Sequence, residues 1–336
     1  MNVYTFGWQY KYVPGIVFLI LMQERGEISL GIRIMEDISL IREEIERLKR
    51  ERHAIILAHN YQTGEVQDIA DIVGDSLELS RAAASIDCDV IVFCGVDFMA
   101  ETAAILSPEK TVLLPAADAC CPMAGMITAG ELVLLRERFP DAGVVCYVNT
   151  TAEVKAESDI CCTSSNAVNV VNSLDQQRVI FIPDHNLARY VSRFTDKEIL
   201  PWEGYCIVHD QYTPEQVQEA QQRHPKAAVI VHPECRPEVI DLADHVASTS
   251  GIIRHVCSSD EHVFVIGTEV GILHQINKKC PDKRCYPLSD RAICRNMKKT
   301  DVVKVHAALE NLRPCITVPG DVAAKARHAI DGMLSL

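Results

Sequence analysis

Three stretches decide the fold: AIILAHNY (54–61), VVCYVN (144–149) and AVIVHPE (228–234). Each is a short apolar run that closes on polar residues, His59-Asn60-Tyr61, Tyr147-Val148-Asn149 and His232-Pro233-Glu234. The first of those polar positions recur at offsets of 88 and 85 residues. Twelve residues beyond each comes an aspartate (Asp71, Asp159, Asp244), and five further on a hydroxyl residue (Ser76, Ser164, Thr249). Identical internal spacings in three copies mark an internal repeat, and a repeat governs how every local motif is read.

Working outward, the second half of each unit also recurs, as VIVFCGVD (90–97), VIFIPD (179–184) and VFVIGTE (263–269). Apolar runs of this kind suit strands buried on both faces. LVLLRERFPDA (132–142) and VQEAQQRHPKA (217–227) precede the second and third copies with a shared R-x-P-x-A ending, which Arg50 and Ala54 match before the first. One unit reads α-β-α-β-α-β-α-β, so its sheet is expected to be parallel with helices on both faces. The expected fold class is α/β: three homologous three-layer α/β/α domains with parallel sheets, at 36–127, 128–210 and 211–300. Units of about 85 residues are small for independent stability, so they are expected to pack around a pseudo-threefold axis. A C-terminal helical segment (301–336) is expected to pack back on the core.

The leader, residues 1–35, differs from the rest. Its apolar run, Ile16 to Met22, is too short to span a bilayer and is followed by no small-residue cleavage site. At Met35 the character changes to MEDISLIREEIERLKRER, an amphipathic charged helix, and Met35 is the expected natural start.

The 336 residues are 48% hydrophobic and 24% charged, which excludes disordered and collagen-like chains. A net charge of −13 repels nucleic acid and anionic membranes, so an anionic substrate has to be held by local donors. Fourteen cysteines without a signal peptide point to a reducing cytoplasm, with some thiols committed to a metal. No pair is spaced C-x-x-C, and G-x-x-x-x-G-K-[ST], G-x-G-x-x-G, H-E-x-x-H and G-x-S-x-G are all missing.

Each unit ends with a strand and a loop carrying a cysteine: TVLLPAADACCP gives Cys121 (beside Cys120), ILPWEGYC gives Cys206 and YPLSDRAIC gives Cys294. Their separations, 85 and 88, are again the repeat length. Ligands in open α/β sheets bind beyond the carboxyl ends of the strands, so the three thiolates are expected to converge. Zinc with three sulfurs and a water is one occupant. A [4Fe–4S] cluster on three cysteines is the other, and its open iron is a Lewis acid suited to dehydration. Cys88, Cys94, Cys146, Cys161, Cys162, Cys235, Cys257, Cys280, Cys285 and Cys315 are read as small buried hydrophobes or inert thiols.

Residues two apart on a strand share a face, so His59 with Tyr61, Tyr147 with Asn149, and His232 with Glu234 are expected to ring one cavity opposite the thiolates. Ser76, Ser164 and Thr249 are expected at helix starts, as N-caps or as part of an anion-holding end. Asp71, Asp159 and Asp244 are read as structural.

LAHNYQ (57–62), DIADIVGDSLELSRAA (68–83), CPMA (121–124), CYVNTTAEVKAESDICCTSSNAV (146–168), GYCIVHD (204–210), HPEC (232–235), IGTEVGILH (266–274) and CRNMKKT (294–300) together resemble quinolinate synthase, from about residue 36 to the end. The resemblance implies condensation of iminoaspartate with dihydroxyacetone phosphate to quinolinate in NAD biosynthesis. It also implies a [4Fe–4S] cluster on Cys121, Cys206 and Cys294, with CPMA selecting Cys121. Substrate-contacting and acid/base residues would be His59, Tyr61, Ser76, Tyr147, Asn149, Ser164, His232, Glu234 and Thr249, with Tyr61, Glu234 and His59 moving protons. An aspartate-oxidising or aspartate-dehydrogenating enzyme is the expected functional partner, and neither nucleic acid nor membrane is. The rival readings are another metal-dependent lyase on a small acid and a non-catalytic iron–sulfur sensor.

Overall fold

The computed structural model describes residues 26–336. The expected leader lies outside them up to residue 25, and the helix Gly26–Arg52 runs without a break through Met35. Twelve strands follow: β1 (Ala54–His59), β2 (Ile72–Gly74), β3 (Val90–Cys94), β4 (Thr111–Leu113), β5 (Gly143–Tyr147), β6 (Ile160–Cys162), β7 (Arg178–Ile182), β8 (Glu198–Pro201), β9 (Ala228–Val231), β10 (His245–Val246), β11 (Val263–Gly267) and β12 (Arg284–Pro287). They form three parallel four-stranded sheets of the same order, β2-β1-β3-β4, β6-β5-β7-β8 and β10-β9-β11-β12. Helices connect the strands, as the alternating pattern predicts. The central strands β3, β5 and β9 are buried along their whole length, which explains their unbroken apolar sequences.

In this order the chain steps to one side of its first strand and then to the other. The switch point therefore falls between the first and third strands of each sheet, where open α/β sheets bind ligands. The polar strand ends lie there in every sheet.

The recurrent aspartates clamp the edge strand to the first. Asp71 accepts the N–H of Ile56 at 2.7 Å and returns its own N–H to the Ile56 carbonyl at 2.9 Å. Asp159 does the same with Val144 (2.7 and 3.2 Å), and Asp244 with Val229 (2.8 and 2.9 Å). The 12-residue spacing is thus the length of chain needed to carry the carboxylate back to the strand. Replacing Asp244 by Ala leaves the Val229 N–H without its acceptor and is expected to destabilise the protein by about 1–2 kcal/mol, with a similar loss for Asp159→Ala. Urea unfolding of the metal-free variants checks this, and no loss in either would contradict the clamp.

Three expectations need correction. The helices Ser76–Ser85 and Thr249–Ser258 are capped by Asp75 and Ser248, and Asn166 precedes the helix Ala167–Ser173. Ser76 and Thr249 are therefore first helical residues, and their side chains are free for other work. Asp75 and Ser248 accept the N–H groups that a cap must satisfy, and Asp75 closes a capping box with Glu78. Among the other cysteines, Cys315 is exposed, and Cys257 pairs with Cys280 as a disulfide across a Cα–Cα distance of 5.5 Å.

At the C-terminus, the helix Val302–Asn311 packs on the helix Gly26–Arg52. The helix Gly320–Leu334 crosses to β6 and the helix Ala152–Ala156. Among the described residues no helix is long and apolar enough to cross a membrane.

Candidate active site

The carboxyl ends of the three sheets open on one cavity. All twelve residues singled out from the sequence line it: His59, Tyr61 and Ser76 with Cys121; Tyr147, Asn149 and Ser164 with Cys206; His232, Glu234 and Thr249 with Cys294. Val96, Phe98, Met99, Val208 and Met297 supply apolar wall, and no lysine or arginine is among the described lining residues. Anionic groups entering here meet neutral donors.

Two imidazoles are set by the same local device. His59 Nδ1 accepts the N–H of Tyr61 at 3.1 Å, and His232 Nδ1 that of Glu234 at 3.3 Å. Each ring therefore carries its proton on Nε2, and that of His232 donates to the Ser164 hydroxyl at 3.2 Å. Burial pushes both imidazoles down to about 3. Both are thus neutral in the fold, whereas an unfolded histidine titrates near 6.5. As pH falls the unfolded chain takes up these protons first, so stability is complete above about 6.5 and declines from there toward 3. Each histidine is expected to remove up to about 1.4 kcal/mol per pH unit in that window. Urea unfolding of the metal-free protein at pH 7.5 and 5.5 measures it, and an equal unfolding free energy at both contradicts buried neutral histidines.

Glu234 is almost wholly buried. Burial alone would raise its carboxyl, but the hydrogen bonds it takes from His209 and the Tyr147 hydroxyl outweigh that and hold it below the ordinary carboxylate range, a carboxylate at neutral pH. Burial drives both Tyr61 and Tyr147 well above the ordinary tyrosine range, so both keep their protons. The site therefore presents the Glu234 carboxylate among protonated phenols and the neutral imidazoles of His59 and His232, with the carboxyls of Asp75 and Glu269 also in the lining. Two of its buried atoms, Glu234 Oε1 and Asn149 Oδ1, have no hydrogen-bond partner. A buried polar atom left unpaired costs about 1–3 kcal/mol, and a polar ligand in the cavity would satisfy both.

His209 and Thr268 were not foreseen. His209 Nδ1 lies 2.6 Å from Glu234 Oε2 and 3.2 Å from Cys206 Sγ, and its Nε2 is 2.8 Å from the Thr268 hydroxyl. That hydroxyl is 2.7 Å from Tyr61 Oη, which also meets the Thr249 hydroxyl at 2.8 Å. A buried hydrogen-bonded chain thus joins Tyr61 to Glu234, two residues 173 apart in sequence.

The three thiols suit a metal. Burial pushes Cys121 up to about 12 and also raises Cys206 and Cys294. Against this, each sulfur receives backbone N–H groups from the second and third residues beyond it: Met123 and Ala124, Val208 and His209, Asn296 and Met297. Cys294 raises Cys121, and Cys121 raises Cys206, so the thiols lie near enough to oppose one another's ionisation. Three such sulfurs call for a cation. Among the described residues, only Cys206, His209 and Glu234 place three donor atoms within 4.8 Å of one another, and there a hydrogen bond already joins His209 to Glu234. The three sulfurs are spread more widely than that.

A family model described as Quinolinate synthetase A protein matches residues 43–335. A quinolinate synthase of Methanoregula boonei is 68% identical over 302 residues, covering 90% of this chain and 100% of that protein. Quinolinate synthase 2 of Methanosarcina acetivorans is 54% identical over 90% of this chain and 97% of its own length. A quinolinate synthase of Dehalococcoides mccartyi is 53% identical over 88% of this chain and 98% of its own.

Proposed function

The chain belongs to the quinolinate synthetase A family, and from that premise we propose that it makes quinolinate for NAD biosynthesis by condensing iminoaspartate with dihydroxyacetone phosphate, with loss of phosphate and water. One observation carries the reading: residues from three sequence repeats line a single cavity whose buried Glu234 Oε1 and Asn149 Oδ1 lack partners.

The residues that would hold the group are Cys121, Cys206 and Cys294. A [4Fe–4S] cluster there would supply a Lewis-acid iron with a free coordination position. Zinc sites more often draw on local pairs such as C-x-x-C, which this sequence lacks, and that favours the cluster. Glu234, held as a carboxylate, takes protons from carbon or nitrogen of the bound intermediate. Tyr61 gives a proton back, and the Thr268–His209 chain links its hydroxyl to Glu234. His59 orients Tyr61 and offers Nε2–H to the same reacting groups. Tyr147, Asn149, Ser164, His232, Ser76 and Thr249 hold the carboxylates and phosphate through neutral donors, as a cavity with no lysine or arginine among its described lining residues requires. Iminoaspartate hydrolyses readily in water, which makes an aspartate-oxidising or aspartate-dehydrogenating enzyme its natural supplier. Cytoplasmic residence agrees with an air-sensitive group.

The test is anaerobic purification of the full chain and assay of quinolinate from dihydroxyacetone phosphate and an iminoaspartate source. Quinolinate formation is expected. Its absence from iron-loaded protein would favour a lyase on another small acid, or a sensor.

A further inference from the structure

The acid that ends the third strand of each sheet has no part in the roles given so far. Asp97 Oδ1 accepts the backbone N–H of Cys121 at 3.2 Å, Asp184 Oδ2 that of Cys206 at 3.1 Å, and Glu269 Oε1 that of Cys294 at 3.1 Å. A second bond closes each loop on the carbonyl two residues before the cysteine. The N–H of Asp97 donates to Ala119 at 2.9 Å, that of His185 to Gly204 at 2.8 Å, and that of Val270 to Ala292 at 3.0 Å. Each cysteine is thus held from behind by a carboxylate, while its sulfur takes N–H groups from in front.

The arrangement is costly. Asp184 and Glu269 are fully buried. Glu269 meets Lys298 Nζ at 3.0 Å, but Asp184 forms no ion pair among the described residues. Burying a carboxyl without a cation is unfavourable and pushes Asp184 well above the ordinary carboxylate range, and a loop that needed only an acceptor could use a carbonyl. In all three sheets the carboxylate falls on the N–H of the cysteine itself.

We propose that Asp97, Asp184 and Glu269 are positioning residues of the metal centre, each aiming one cysteine sulfur through that cysteine's own N–H. This rests on the reading that the three cysteines share a metal group. Residues behind metal ligands set affinity in just this manner, and their loss typically costs 10–100-fold.

The three clasps differ in a way that makes the proposal testable. Asp184 divides its work: Oδ1 accepts from Leu187 N at 2.7 Å as a helix cap, and Oδ2 from Cys206 N. In Asp184→Asn the remaining oxygen keeps the cap, at which asparagine serves well, and the amide NH₂ meets the Cys206 N–H donor to donor. Asp97 uses one oxygen for both Phe98 N (2.8 Å) and Cys121 N, so Asp97→Asn retains both bonds and Asp97→Ala neither.

The experiment loads the full chain with iron and sulfide anaerobically, then follows iron release to a chelator alongside the melting temperature of each metal-free variant. Asp184→Asn is expected to release iron at least about tenfold faster than the parent, with the metal-free melting temperature little changed. Asp97→Asn is expected to behave as the parent and Asp97→Ala to release faster. Parent-like release from Asp184→Asn overturns the clasp, as does Asp97→Asn behaving like Asp97→Ala. So does faster release that only tracks a lowered melting temperature, the mark of a merely structural role. Should Asp184→Asn not fold, Glu269→Gln takes its place, since Glu269 likewise gives separate oxygens to Cys294 N and Gly271 N (2.7 Å). A parent chain that takes up no iron overturns the metal reading and the clasp together, whereas a loaded parent with an unaltered variant overturns the clasp alone.

Discussion

Replacing Glu234 by Gln is expected to lower quinolinate formation by about 10²–10⁴-fold, the range for loss of a positioned acid/base, while the chain still binds its full iron. The change keeps size and burial and removes the negative charge that His209 and the Tyr147 hydroxyl hold by hydrogen bonds. It also sets an amide NH₂ against His209 Nδ1, now 2.6 Å from a carboxylate oxygen. Either the amide turns its oxygen there, and no proton acceptor remains, or His209 changes tautomer and the chain to Thr268 and Tyr61 breaks. Glu234 is no sulfur ligand, so visible absorbance and iron content serve as the control. Turnover within about threefold of the parent would remove Glu234 as the base.

Replacing Cys206 by Ser is expected to bleach the protein and to reduce turnover by at least about 10²-fold, with bound iron and sulfide falling together. A serine hydroxyl does not ionise at neutral pH in a buried site, so the N–H groups of Val208 and His209 that aid a thiolate cannot make it a comparable ligand. The hydrogen bond from Cys206 N to Asp184 is a backbone contact and survives the change, which separates loss of the ligand from loss of the loop. Cys120→Ser, beside Cys121 but exposed and absent from the cavity lining, is the companion variant and should keep its iron. Full iron content in Cys206→Ser would exclude that sulfur.

What the sequence carried and what it withheld follow from the repeat. Period alone brought together His59, Tyr147 and His232, and with them Cys206, Cys294 and the Cys120-Cys121 pair, of which the CPMA motif selected Cys121, because equivalent positions in equivalent sheets face the same point. It also marked Asp71, Asp159 and Asp244, whose clamp depends on chain length within one unit. It could not mark His209. The residues matching it in the other units, three beyond Cys121 and Cys294, are Ala124 and Met297, so His209 is a departure from the repeat. Thr268 acts only through contacts between units, which no spacing encodes. The acids Asp97, Asp184 and Glu269 were visible as the endings of VIVFCGVD, VIFIPD and VFVIGTE, yet their partners lie 22–25 residues on, beyond any local pattern. The caps were placed one residue late because serine and threonine at Ser76 and Thr249 imitate the signal that Asp75 and Ser248 carry.

That sulfurs from three repeats hold one iron–sulfur group is tested most directly by metal and acid-labile sulfide analysis of the anaerobically isolated full chain. About four iron and four sulfide per chain are expected. One zinc per chain with no sulfide, or iron that persists when Cys121, Cys206 and Cys294 are all replaced by serine, would contradict it.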